Sequence, residues 1–387
     1  MIPYGKQHIS NDDIDSVIET LKSDFITQGP KVEKFEEKII DEVKCKYAVT
    51  ANSATSCLHL ACKALELKTN QWVWTSPNSF VASANAALYC GAKIDFIDIN
   101  PLTYNICVSK LEEKLQFAKR NNCLPKIVIP VHFAGQSCEM EKIYQLSKEY
   151  NFKIIEDASH AIGGKYKGEK IGSCKYSDIT VFSFHPVKII TTAEGGVATT
   201  NKEKIAKKMR MDRSHGIRRL HKDQINEIND EIWNYKQEGL GFNYRLNDLQ
   251  SSLGLSQLKR LDFFVKKRHN IAKIYNKYLA NLGIQLPYQD PSNYSSYHLY
   301  PIRVSKNKGG ICQKDMYYFL RDNQIGVNIH YIPIYRQPFF KKLGFKYGYC
   351  LESEKHFREV ISLPIYATLS EKDQEFVIEK IKQCLHS

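Results

Sequence analysis

No stretch of about eighteen consecutive apolar residues occurs in the chain, so a membrane-spanning helix is not expected. The opening residues, Met1-Ile2-Pro3-Tyr4-Gly5-Lys6-Gln7-His8, lack the apolar centre of a secretory signal, and the expected location is cytoplasmic. No two of the eleven cysteines stand at CxxC spacing, and the histidines complete no zinc-like cluster. Neither disulfides nor a metal site are therefore expected. No GxGxxG follows the first strand-like run, which weighs against a doubly wound NAD enzyme. Internal repeats and low-complexity tracts are also missing.

What is present is ordinary for a globular protein of two domains: 387 residues, 43% hydrophobic and 25% charged. The formal charge is +13, which raises the question of a polyanionic partner. The cations are interleaved with acids, as in Lys34-Phe35-Glu36-Glu37-Lys38, and no nucleic-acid motif accompanies them. Neither nucleic acid nor membrane is expected as a partner. A site handling phosphates and carboxylates is compatible with the excess.

The first two-thirds alternates short apolar runs with helical spacing. Residues 11–23 and 31–44 read as helices, 47–50 as a buried strand and 54–65 as a helix. Strand-like runs follow at 73–75, 94–97, 127–131 and 153–156, with helical stretches at 81–89, 109–120 and 139–150. That order predicts an α/β fold with a mostly parallel sheet flanked by helices, whose ligands bind at the carboxyl ends of the strands. After the strand-like runs 179–184 and 195–200, a helical stretch over 246–282 leads into a smaller C-terminal α+β domain with strands at 297–304 and 326–331. The expected division is 1–250 and 251–387.

Two signals at strand ends carry chemistry. Glu156-Asp157-Ala158-Ser159-His160 follows one apolar strand directly. Phe182-Ser183-Phe184-His185-Pro186-Val187-Lys188, with Thr191-Thr192-Ala193-Glu194-Gly195-Gly196 behind it, puts a lysine in an apolar, aromatic setting. Desolvation there lowers an amine's pKa and makes it nucleophilic. Taken singly, Asp157 also fits a helix cap and Lys188 a surface lysine beside a turn. Together they match the needs of pyridoxal 5′-phosphate (PLP), a lysine for the Schiff base and an acid for the pyridine nitrogen. Asn52-Ser53-Ala54-Thr55-Ser56, between a strand and a helix, suits a phosphate at a helix N-terminus, or a plain cap by Ser53. Ser183 is a second hydroxyl candidate.

These blocks, with Ser79-Phe80-Val81-Ala82-Ser83-Ala84-Asn85, Val131-His132-Phe133-Ala134-Gly135-Gln136 and the segment from Gly241 to Gln250, resemble the DegT/DnrJ/EryC1/StrS sugar-nucleotide aminotransferases. The resemblance runs from about residue 26 to residue 364. It implies the PLP-dependent transferase fold type I, PLP as cofactor, and Lys188 as the catalytic Schiff-base lysine that also moves a proton. It further implies Asp157 at the pyridine nitrogen, Phe80 on the ring, and Ala54, Thr55 and Ser183 at the phosphate. Asn243 would reach the phosphate of a neighbouring subunit, so a homodimer with shared sites is implied. His160 stands where many relatives have Gln and would lie near the cofactor's 3′-oxygen. One branch of the family replaces the lysine by histidine and dehydrates; Lys188 argues against that branch.

Within the family, residues 182–196, Arg213-Ser214-His215-Gly216 and His330-Tyr331-Ile332-Pro333-Ile334-Tyr335 look closest to members that aminate a UDP-linked 4-keto-6-deoxy sugar with L-glutamate as donor. Tyr4, His330 and Tyr335 are the expected substrate-binding residues. Another keto sugar nucleotide, or a non-catalytic regulator on the same fold, stay open as alternatives at this point.

Overall fold

The computed structural model describes residues 1–219, 233, 235–305 and 310–386. Among these residues a seven-stranded sheet forms the centre. Its spatial order is Tyr47–Ala51, Gly196–Thr200, Ile179–Ser183, Lys153–Asp157, Pro125–Ile129, Trp72–Thr75 and Lys93–Phe96. All strands run the same way except Gly196–Thr200, which is antiparallel to both its neighbours. The connection carrying Lys188 turns straight back, and such a return cannot place the next strand parallel. Gly196–Thr200 lies inside the sheet, second from one edge.

Apolar side chains on both faces bury the sheet, as its near-continuous Val and Ile content requires. On one face Val49, Ile127, Ile155 and Val181 meet the helices Ala54–Ala64 and Glu203–Arg213. On the other, Ala48, Phe182 and Val197 pack with Phe35 and Ile39 of the helix Pro30–Val43 and with Leu261 and Phe264. Pro30 opens its helix at the position that needs no N–H. The amides of Gly29, Lys31 and Val32 donate to the buried carboxylate of Asp248, 219 to 216 residues away in sequence. One acid thus caps that helix from outside it.

The expected single helix over 246–282 is two helices, Asp248–Leu258 and Leu261–Leu279. Arg260 leaves helical geometry at φ −107°, ψ 10°, and its guanidinium pairs with Asp13 and His8 of the N-terminal segment. Beyond the break a separate core gathers Tyr275, Tyr300, Ile302, Leu320, Ile361 and Val377. Its strand Tyr300–Arg303 pairs antiparallel with Val360–Leu363. The expected strand at 326–331 is reduced to one bridge, Asn328 to Ser362. The chain's first residues pack here too: Ile2 exchanges backbone hydrogen bonds with Gln324 and Gly326, and Tyr4 C=O accepts from Ile365. No helix among the described residues is long and apolar enough to cross a membrane.

Candidate active site

The carboxyl ends of the parallel strands meet at one cavity of about 610 Å³. Lys153–Asp157 delivers Asp157 to it. Side chains alternate along a strand, so Glu156 faces the other side. There Glu156 accepts from His132 Nε2 at 2.7 Å, Ser177 Oγ at 2.5 Å and Thr180 Oγ1 at 2.8 Å. Burial pushes its carboxyl up, yet these donors, His132 first, hold it below its ordinary value. Asp157 is clamped separately. Its Oδ2 accepts from Ser83 Oγ at 2.6 Å, and its Oδ1 from the hydroxyl and amide of Ser159 at 2.6 and 3.2 Å. Ser83 is in turn 2.8 Å from Ser79 Oγ, so the acid is fixed by a chain of hydroxyls.

Lys188 sits in the connection between Ile179–Ser183 and Gly196–Thr200. The loop is tied by Lys188 N–H to His185 C=O at 2.9 Å, Thr192 N–H to Phe184 C=O at 3.0 Å and Phe184 N–H to Gly195 C=O at 2.9 Å. Ile189 and Ile190 anchor it in the core beside Leu261 and Phe264. Desolvation lowers the Lys188 amine to about 8, against the opposing charge of Asp157. The free, nucleophilic amine is therefore far more populated near neutral pH than in an ordinary lysine, although the ammonium form still predominates at pH 7.

The helix Ala54–Ala64 points its N-terminus at the same space. Ser53 Oγ takes the Ser56 amide at 3.0 Å. Ala54 and Thr55 line the cavity, and first-turn amides such as theirs have no carbonyl partner inside the helix. Gly196 makes this approach possible: a Cβ there would stand 2.6 Å from Ala54 N and 2.8 Å from Ser53 C. Ser183 also lines the cavity, 3.4 Å from the His185 amide. An anion cradle, a clamped acid and a depressed amine at one sheet edge fit the phosphate, ring nitrogen and carbonyl carbon of PLP.

Phe80 stands at the wall with 62% of its surface exposed. His160 is buried, its Nδ1 3.3 Å from the Ala134 amide and its Nε2 3.2 Å from the Tyr331 hydroxyl. Tyr4 and His330 also line the cavity, their rings 5.5 Å apart. Burial, with the charges of Lys188 and His356, pushes His330 down to about 3, and its Nδ1 is 2.8 Å from Ser362 Oγ. The cavity thus brings together Tyr4, Ala54, Thr55, Phe80, Asp157, His160, Ser183, Lys188 and His330.

Tyr335 is a correction. It is fully buried, outside the cavity, in an aromatic cluster with Phe96 and Tyr349, and its hydroxyl bonds Glu354 and Cys350 C=O. A side chain satisfied inside the core cannot contact substrate. Asn243 is exposed and lies outside its own chain's cavity, on a segment whose Tyr244 C=O accepts the Asn52 amide at 2.8 Å. Sequence reasoning missed Ser83, Ser159 and Tyr331. The four-residue spacing of Ser79, just ahead of the helix Ala82–Leu88, and Ser83 in its first turn was the available signal for the first.

Fold and site together define a PLP-dependent aminotransferase of fold type I. The model of the DegT/DnrJ/EryC1/StrS aminotransferase family matches residues 7–382. The chain is 39% identical over 397 residues to the UDP-4-amino-4,6-dideoxy-N-acetyl-β-L-altrosamine transaminase of Campylobacter jejuni subsp. jejuni serotype O:23/36, covering 99% of both chains. Among solved structures it is similar to Helicobacter pylori PseC, an aminotransferase involved in the biosynthesis of pseudoaminic acid, with TM-score 0.89, 32% identity and coverage of 100% and 99%. It is likewise similar to the PMP form of Spr1654 from Streptococcus pneumoniae, with TM-score 0.89, 28% identity and coverage of 100% and 99%. This chain belongs to the DegT/DnrJ/EryC1/StrS aminotransferase family.

Proposed function

We propose that this enzyme moves the amino group of L-glutamate to C4 of UDP-2-acetamido-2,6-dideoxy-β-L-arabino-hexos-4-ulose, giving UDP-4-amino-4,6-dideoxy-N-acetyl-β-L-altrosamine. The observation that carries the substrate is the 39% identity, over 99% of both chains, to a transaminase named for that product. Bound PLP supplies an electron sink for the carbon that loses or gains the amino group. Lys188 Nζ, with its pKa brought to about 8, would hold the cofactor and then carry a proton between that carbon and the cofactor's C4′. Asp157 keeps the ring nitrogen's proton, its two oxygens oriented by Ser83 and Ser159. Ala54, Thr55 and Ser183 hold the phosphate, Phe80 covers the ring, and His160 stands beside it.

Tyr4 and His330 are proposed to face the sugar nucleotide from the cavity wall. His330 is neutral there, so it can hydrogen-bond without repelling Lys188. Asn243, exposed and outside its own chain's cavity lining, is proposed to complete the phosphate site of a second subunit in a homodimer. Glutamate and the keto sugar would use one cavity in turn, which gives ping-pong kinetics.

The test is a panel of UDP-, dTDP- and GDP-linked keto sugars with glutamate as donor. Amination of the UDP 4-keto-6-deoxy sugar, with parallel double-reciprocal lines, is the expected result. Turnover of a dTDP- or GDP-linked sugar alone would remove the substrate assignment and leave the aminotransferase.

A further inference from the structure

Hydrogen bonds at the cavity wall settle where the hydroxyl proton of Tyr331 can point. The Ala134 amide is 3.3 Å from His160 Nδ1 and can only donate, so Nδ1 bears a lone pair. Burial, helped by the charges of Lys188 and His330, keeps the His160 ring far below its usual pKa. The ring is therefore neutral, and its single hydrogen is on Nε2. That nitrogen lies 3.2 Å from the Tyr331 hydroxyl, which accepts from it. Burial raises the phenol's pKa, and nearby Tyr4 and Asp157 raise it further, so the hydroxyl keeps its own proton. Among the described residues that proton has no acceptor, and Tyr331 lines the cavity. The residue is also well held: Asn78 Oδ1 takes its amide at 3.2 Å, and its ring lies nearly parallel to His160.

We propose that Tyr331 is a cofactor-contacting residue whose hydroxyl donates to the 3′-oxygen of PLP, with His160 acting through it as a positioning residue. The acceptors of PLP narrow the choice. In the proposed site its phosphate oxygens would meet Ala54 and Thr55, and its ring nitrogen would meet Asp157. The 3′-oxygen is the remaining acceptor on the ring, beside the carbon that Lys188 engages. The assignment rests on PLP occupying the Lys188 cavity and is independent of which sugar is used. It replaces the sequence expectation that His160 itself reaches this oxygen.

Tyr331→Phe keeps the ring and removes only the donor. Asp157, Lys188, His298, His330 and Tyr4, which share its surroundings, stay in place. In holoenzyme without glutamate or sugar, the pH midpoint of the bound-PLP absorbance is expected to rise by about one unit. The anionic oxygen then lacks a donor and holds the neighbouring proton more strongly. Affinity for PLP, followed by fluorescence, is expected to fall about tenfold, the scale of one charge-assisted hydrogen bond. His160→Leu is expected to raise the midpoint less than Tyr331→Phe does, and to add nothing in the Tyr331→Phe background.

An unchanged midpoint in Tyr331→Phe would overturn the proposal. So would a His160→Leu shift of equal size with and without the Tyr331 hydroxyl, since His160 would then act directly. Loss of PLP absorbance in Lys188→Ala is a separate reading, and it tells failure of the cofactor site from failure of the Tyr331 assignment.

Discussion

Lys188 and Asp157 line one cavity and are proposed to do different work there, so each can be tested by itself. An amine lowered to about 8 is ammonium at pH 7 in most molecules and free amine above pH 8. PLP uptake by apoprotein should therefore speed up with pH and level off above about 8. Stopped-flow absorbance would show a rise continuing toward about 10.4 if Lys188 were an ordinary exposed lysine. For Asp157→Asn we expect turnover to drop about a hundredfold or more with the fold retained, because a fixed charge facing developing charge is lost. Ser83→Ala should cost less, on the order of 1 kcal/mol, since Ser159 still holds the other oxygen. The lysine and the acid were legible in sequence, each following an apolar strand. Their clamps were not. Ser83 comes from another helix, and Tyr331 lies 171 residues from the histidine it meets. Tyr335 was misread because its motif does not say which aromatic faces inward.

The start of the helix Ala54–Ala64 depends on a neighbour in the sheet. Gly196 lets the antiparallel strand pass under Ser53 and Ala54 at distances no side chain permits. Gly196→Ala should push the helix N-terminus away from the cavity. We expect about 1–3 kcal/mol of lost stability and a matching loss of PLP affinity, read by thermal denaturation and by cofactor titration. Normal cofactor affinity in a folded Gly196→Ala variant would argue against a phosphate at this helix start. The order of the helices and of the seven central strands over the first two hundred residues was readable from periodicity, while the short hairpin Lys165–Lys170 was not. The break at Arg260 was not, because no Pro or Gly marks it and its cause, Asp13 and His8, lies some 250 residues earlier.

For the molecule as a whole, buried neutral histidines tie the cavity to the C-terminal core. His356 Nε2 is 3.0 Å from His330 C=O, and burial drives both rings to about 3, from a usual 6.5. In the unfolded chain both would bind protons as the pH falls below 6.5, while the folded chain binds them only near 3. Their share of the stability is thus complete above 6.5 and is lost progressively between 6.5 and 3. Urea midpoints for apoprotein should fall from pH 7.5 to pH 5, and a flat profile would show that these rings are more accessible than the structure indicates.

The proposed chemistry turns on Lys188 as the residue that holds PLP. Reducing the yellow holoenzyme with borohydride, digesting it and mapping the pyridoxyl adduct by mass spectrometry addresses that directly. The adduct should be found on the peptide containing Lys188 and on no other. An adduct on a different lysine, or a protein that stays colourless with added PLP, would contradict the assignment.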